Sequence, residues 1–543
     1  MRLLIPFLIF TNFAAAQIFI RVNQLGFLPE DYKSAVVISN IDISNKEFKL
    51  RENGNGKIIL RNSLMKIDTT YGTFNHVYRI DFSEIQKTGT YYLEVEGSRS
   101  HNFSIAFNLY HKVVDELMKF YSVQRCGYTD PKFHDICHKA DSHKLINGDK
   151  VIERQVDVTG GWHDAGDYAK FLNTISFTTY MLLFSYEFDP QKFSFDNDRN
   201  GTPDILEEAK IGLDWLLRAQ LDNDMFVVQV QDQRDQEVGW RLPENDPLAF
   251  DRPAFIGTGK NLIGIYSAAL ALGSRIWRSK FNYPEFANKC LDAAEKAFAK
   301  RNFAPDVNKS GTGFYLDSEY KGKLALGAVE LYESTKKSEY YKEARELASE
   351  AGAENWWSWG NINVLSHYKL AKYDLAYANF IEESLISFYE RANKNVFNNG
   401  VSPTWGTNNT LMGISLHHIL YERVTRSNKF NTLSVLQRDF ILGRNPWGVS
   451  FISRIGTVFS RNLHHQIAYL KKMILPGGFA AGPAPKALLN DYKIDYETYD
   501  PYARFQTEDY YYRDDRNDYI ANEPTITANA TAIFVMGYYS NRK

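Results

Sequence analysis

The chain has 543 residues, 63 basic and 65 acidic side chains, a formal net charge of -2 and an aromatic content of 15%. That balance excludes the basic footprint of a nucleic-acid binder and points to an uncharged or weakly charged ligand. The length exceeds one ordinary domain, so two are expected.

At the start, Met1-Arg2, an apolar run from Leu3 to Phe10 and the small residues Ala14, Ala15 and Ala16 read as a secretory leader over residues 1–16. The apolar core is shorter than the roughly 20 residues a membrane anchor needs, and no later run is long enough to span a bilayer. A secreted or periplasmic protein without membrane insertion follows. Over residues 17–105 short β-branched or aromatic runs (18–22, 34–38, 76–80, 91–95) are separated by turn residues, which predicts a small all-β sandwich. From 106 to 543 the texture is helical: apolar residues recur at spacings of three and four in 205–217, 324–331 and 380–392. Many helices without alternating strands predict an all-α second domain.

In the first part of the helical region Cys126, Cys137, His138 and His163 offer two thiols and two imidazoles, a complete tetrahedral zinc set; a Cys126 to Cys137 disulfide is the alternative in an exported chain. Cys290, in an apolar stretch, reads as a buried bystander. Residues 196–207 fit a calcium-loop template: Asp196, Asp198, Asn200, Asp204 and Glu207 supply oxygens at positions one, three, five, nine and twelve, with Gly201 at six. With no clear entering helix, such an ion would clamp a loop to the helix that starts near Pro203 rather than act as a switch; a solvated acidic turn is the plainer reading.

Two motifs carry the chemistry. Gly160-Gly161-Trp162-His163-Asp164-Ala165-Gly166-Asp167-Tyr168 sets two aspartates three apart among glycines, and Tyr512-Arg513-Asp514 is followed by Tyr519 and Asn522-Glu523. Hydrolysis of a glycosidic bond needs two opposed carboxyl groups, one to protonate the leaving oxygen and one to activate water or attack the sugar. Glu523 precedes Pro524, which suits the first position of a helix running through Ile526, Ala530 and Ile533. The plainer readings are that Asp164 and Asp167 cap a helix and that Glu523 merely begins one.

Residues 157–171 resemble the catalytic-base segment of glycoside hydrolase family 9. Residues 512–530 match that family's acid signature at Tyr512, Asp514, Tyr519, Glu523, Thr525, Asn529 and Ala530. A third motif maps onto Gly456 and His464, except that its arginine position holds Gln466; a neutral amide does not replace a forked guanidinium. The resemblance implies an (α/α)6-barrel catalytic domain behind an immunoglobulin-like sandwich that braces it. It also implies Asp167 as general base, Asp164 as a holder of the attacking water and Glu523 as general acid. Such carboxyls lie about 6.5 to 9.5 Å apart in inverting enzymes. His464 would touch a sugar hydroxyl, and Asp514 and Tyr519 would orient Glu523 or the leaving sugar. Some members carry a structural zinc at positions matching the two cysteines and two histidines; the chemistry itself needs no cofactor.

For stacking against sugar faces, Trp162, Trp240 and Trp405 are the candidate platforms, with Tyr168 and Tyr519 beside them. The expected activity is inverting endo-cleavage of a β-1,4-linked glucan such as cellulose, mixed-linkage glucan or xyloglucan. The alternatives are an exo-acting glucosidase or glucosaminidase and a non-catalytic glycan-binding surface protein.

Overall fold

The computed structural model describes residues 17–142, 144–222 and 225–541, and the expected leader, residues 1–16, lies outside them. Residues Ile18 to Ile105 form two facing sheets. One orders Ile18–Arg21, Ser34–Ser39, His76–Asp81 and Met65–Ile67; the other orders Gly26–Phe27, Phe103–Ile105, Gly89–Val95, Glu47–Glu52 and Ile58–Ser63, with Ser98–Arg99 on the edge of Gly89–Val95.

The strand Ser34–Ser39 is buried along its whole length. Alternate side chains of a strand point to opposite faces. Ala35 and Val37 therefore enter the sandwich core, while Val36 and Ile38 join the core of the helical domain. A run that reads as continuously apolar is thus a strand covered on both sides, and it seats the sandwich on the barrel. Polar contacts lock the seat: buried Arg438 binds Asp31 of the sandwich at 2.8 Å and Asp439 at 2.9 Å, and Asn23 donates to Asp439 at 2.8 Å.

Six helices close an inner ring in the order Leu172–Phe188, Lys260–Lys280, Lys321–Thr335, Asn363–Ala371, Thr407–Thr425 and Ile526–Tyr539, the last packing back on the first. Outside them lie His111–Gln124, Asp204–Ala219, Pro284–Phe298, Ser338–Ala351, Ala378–Ala392 and Asn431–Ile441. This is an (α/α)6 barrel behind a β-sandwich. Inner helices such as Leu172–Phe188 and Ile526–Tyr539 are buried nearly all round, whereas Asp204–Ala219 buries one stripe (Ile205, Leu206, Ala209, Leu213, Leu216) and leaves its charged face out. Among the described residues no helix is long and apolar enough to cross a membrane.

One element escaped the sequence pattern. A small five-stranded sheet orders Lys150–Ile152, Leu145–Asn147, Ala254–Gly257, Phe226–Val230 and Lys170–Phe171. Its strands are two to five residues long and, apart from the hairpin of Leu145–Asn147 and Lys150–Ile152, lie far apart in the chain, so no local periodicity announced it. Its last strand leads straight from the two-aspartate motif into the first inner helix.

Candidate active site

The loops that enter the inner helices at their N-terminal ends carry the candidate groups. Asp164 and Asp167 precede Leu172–Phe188, Tyr315 precedes Lys321–Thr335, Trp405 precedes Thr407–Thr425, and Glu523 precedes Ile526–Tyr539. Backbone bonds tie three distant segments together: Ile526 N donates to Asp164 O at 3.0 Å, His464 N to Asn522 O at 3.1 Å and Gln466 N to Gly166 O at 3.4 Å. Gly166 is required by this approach, because a Cβ there would stand 2.3 Å from the His464 carbonyl. Its own N–H donates to Glu523 Oε1 at 3.2 Å, so the two carboxylate motifs touch directly.

Neither aspartate caps a helix, as the following helix has Phe171 at its N-cap. Asp167 Oδ1 accepts from Ala169 N at 3.2 Å. Asp164 is 1% exposed, and among the described residues neither of its carboxylate oxygens has a partner at full hydrogen-bond geometry. Burial pushes it up to about 6, offset in part by the nearby Thr174 and Tyr315 hydroxyls. Burial also raises Asp167, with Asp235 and then Asp164 adding repulsion. Glu523 is held well above the usual glutamate range by burial and by Asp167. Three carboxyls crowded together, Asp164 buried and Asp167 and Glu523 partly exposed, repel one another as anions, which favours keeping one of them protonated. The expected helix start at Pro524 is displaced: Glu523 ends a short helix, Tyr519–Asn522, and Thr525 caps the long one through its bond from Ala528 N. Glu523 thus stands two residues clear of the cap, which weakens the dipole's pull toward the ionised form.

The flanking residues sort differently from the sequence expectation. Trp162 is fully buried and its indole N–H donates to Glu208 at 2.6 Å, so no ring face is open to a sugar. Tyr168 is buried too, its hydroxyl donating to the Arg241 carbonyl. Both support the loop from behind, since aromatic rings flanking a reactive motif in sequence face the core as readily as the cleft. Asp514 accepts from Arg461 N at 3.0 Å and Asn462 N at 2.8 Å, so it fixes the turn before His464.

Trp240, His464, Tyr519 and Trp405 do form a row. Ring centroids are 5.1 Å apart from Trp240 to His464, 5.7 Å from His464 to Tyr519 and 5.8 Å from Tyr519 to Trp405, with Tyr469 and Tyr492 at either end. His464 Nδ1 is engaged by the Arg516 carbonyl at 2.6 Å. Gln466 is buried and accepts from Arg241 N at 3.0 Å, so in place of a sugar contact it anchors the loop carrying Trp240. Sequence reasoning missed Tyr315. Its ring packs between Phe171 and Trp359, and Asp164, Glu523 and Asp167 all disfavour its ionisation after burial does. An aromatic pair after Gly313 in a polar loop was the only local sign.

Beside the first motif, one ligand atom from each of Cys126, Cys137, His138 and His163 lies within 4.8 Å of all the others, and all four residues are buried. The cysteines are unpaired thiols. His138 Nδ1 and His163 Nε2 face each other at 3.1 Å, and His138 Nε2 meets Asp246 at 3.0 Å, the carboxylate support metal-bound imidazoles usually have. This donor set fits a tetrahedral zinc ion. Cys290 is buried inside its helix. In the 196–207 loop the carboxylates of Asp196, Asp198 and Asp204 also gather within 4.8 Å, and Asn200 reaches Asp198 at 3.0 Å and Glu207 at 2.5 Å. Gly201 takes φ +91° at the turn, and Asp204 and Glu207 lie in the first turn of the helix that follows.

The glycosyl hydrolase family 9 model matches residues 110–536, and that of the cellulase N-terminal ig-like domain matches residues 15–100. The chain belongs to glycosyl hydrolase family 9. This family 9 hydrolase is similar to endoglucanase D of Acetivibrio thermocellus, 27% identical over 482 residues covering 82% of this chain and 74% of that protein. It is also similar to a xyloglucan-specific endo-β-1,4-glucanase of Bacteroides ovatus, 26% identical over 572 residues covering 95% and 92%. The crystal structure of a zinc-binding triple mutant of a family 9 endoglucanase superposes with a TM-score of 0.80 at 25% identity, over 95% of this chain and 100% of that one.

Proposed function

We propose that this family 9 hydrolase is an exported, inverting endo-β-1,4-glucanase acting on cellulose, mixed-linkage glucan or xyloglucan. The observation that carries the reading is the contact of the Asp164–Asp167 loop with Glu523 at the mouth of the barrel, alongside a row of aromatic rings. Asp167 takes a proton from a water that Asp164 helps to hold. That water adds to the anomeric carbon as the glycosidic C–O bond breaks, and Glu523 gives its proton to the leaving oxygen. Solvent then returns a proton to Glu523 and removes one from Asp167. His464 and Tyr519, with Trp240 and Trp405, hold the sugar rings, and Tyr315 supports Asp164.

The leader is residues 1–16, the sandwich 17–105 and the catalytic domain 106–543, with the protein released to the periplasm or medium. Zinc on Cys126, Cys137, His138 and His163 staples the base loop, and calcium on Asp196, Asp198, Asn200, Asp204 and Glu207 clamps its loop to the helix behind. The test is a time-resolved product profile on mixed-linkage glucan, xyloglucan and chitosan oligosaccharides. Rapid viscosity loss with mixed oligosaccharides supports endo-cleavage. Release of monosaccharide alone moves the assignment to an exo-glycosidase, and no product moves it to a glycan-binding protein.

A further inference from the structure

Behind the base loop lies a network of buried charge that continues through Asp246 to His138 and through Lys170 to Cys126. Asp141, Asp235 and Asp246 face Lys170, Arg241 and Arg252, all nearly or fully buried, so three negative groups balance three positive ones. Arg252 binds Asp141 at 2.8 Å, Lys170 binds Asp141 at 2.8 Å, and Arg241 bridges Asp246 at 2.9 Å and Asp235 at 2.5 Å. The network grips the two peptide groups that flank Tyr168 in the catalytic loop. Tyr168 N donates to Asp235 Oδ2 at 2.9 Å, and Tyr168 O accepts from Arg252 Nη2 at 2.6 Å. Tyr168 directly follows Asp167 in the chain, so this grip sets where the Asp167 side chain projects.

We propose that Asp235 is a positioning residue for Asp167, clamping the backbone on either side of Tyr168 together with Arg252 and setting a second negative charge beside the base. The inference rests on the reading of Asp167 as the general base. A neighbouring carboxylate makes Asp167 hold its proton more strongly, consistent with the direction in which Asp235 acts on it. A stronger base removes a proton from water more readily. Arg241 and Arg252 temper that charge so that Asp167 still ionises. The other groups facing Asp167 are Asp164 on its own loop, Glu523 and Tyr315 across the cleft, and Gln236 next to Asp235. None of these both holds the loop's backbone and carries charge from behind.

The experiment is the pH profile of kcat/KM on a soluble β-glucan for the full protein. Asp235→Asn can still accept from Tyr168 N but lacks the charge. Its acidic limb should move down by about one pH unit, while the plateau falls. Arg241→Gln removes a cation from Asp235, and its acidic limb should move up. Opposite shifts support the inference; limbs that coincide with wild type, or that move together, overturn it. If Asp235→Asn does not fold, the Arg241→Gln limb decides alone, upward for and unmoved against. Asp167→Asn separates the two levels: an active Asp167→Asn removes the general-base reading itself, whereas an inactive Asp167→Asn together with unmoved limbs in Asp235→Asn and Arg241→Gln removes only the role of Asp235.

Discussion

Replacing Glu523 with Gln should remove one proton and little else. The working form of a general acid is neutral, and the site keeps Glu523 in that form through burial and through Asp167. Glutamine has the same charge and nearly the same shape, and its amide oxygen can still accept from Gly166 N, now 3.2 Å from Oε1. Substrate affinity should therefore hold while kcat falls. General acid catalysis contributes about 10²- to 10⁴-fold, or about 3 to 5 kcal/mol of barrier. The assay compares two substrates on the same enzyme. A β-glucan, whose leaving sugar must be protonated, should lose the full factor; an aryl β-cellobioside whose nitrophenol leaves without a proton should be largely spared. Equal losses on both would mean that Glu523 shapes the site rather than donating a proton, and undiminished glucan turnover would remove it from the mechanism.

Wild-type kcat/KM should be bell-shaped: Asp167 must be ionised and Glu523 protonated, and both are raised, so both limbs should lie above the ordinary carboxylate range; an acidic limb near 4 would contradict this. Calcium at a hundred times its Kd should stabilise the fold by about 2.7 kcal/mol, read as a higher Tm that Asp196→Ala abolishes, and metal analysis should find one zinc per chain, lost in Cys126→Ser. Arg438→Ala leaves Asp31 and Asp439 buried without their cation and should cost about 3 to 5 kcal/mol by denaturant unfolding; a loss below 1 kcal/mol would show that the sandwich seat does not depend on that pair.

The sequence by itself determined which residues could do chemistry and the class of each domain. Glycines and carboxylates at fixed spacing are local facts, and so are strand and helix periodicities; the candidate carboxyls Asp164, Asp167 and Glu523 and the four candidate metal ligands could be named from them. Only the tertiary structure decided which way side chains face. Trp162 and Tyr168 flank the reactive aspartates yet point into the core, while Gln466 holds a loop instead of a sugar. Tyr315, Asp235 and Arg252 reach the site from segments about 70 to 150 residues away in the chain, each held by partners no local pattern specifies. The physical reason is that periodicity records burial along one element, whereas a site at the mouth of a helical barrel is assembled from loops that only closure of the inner ring brings together.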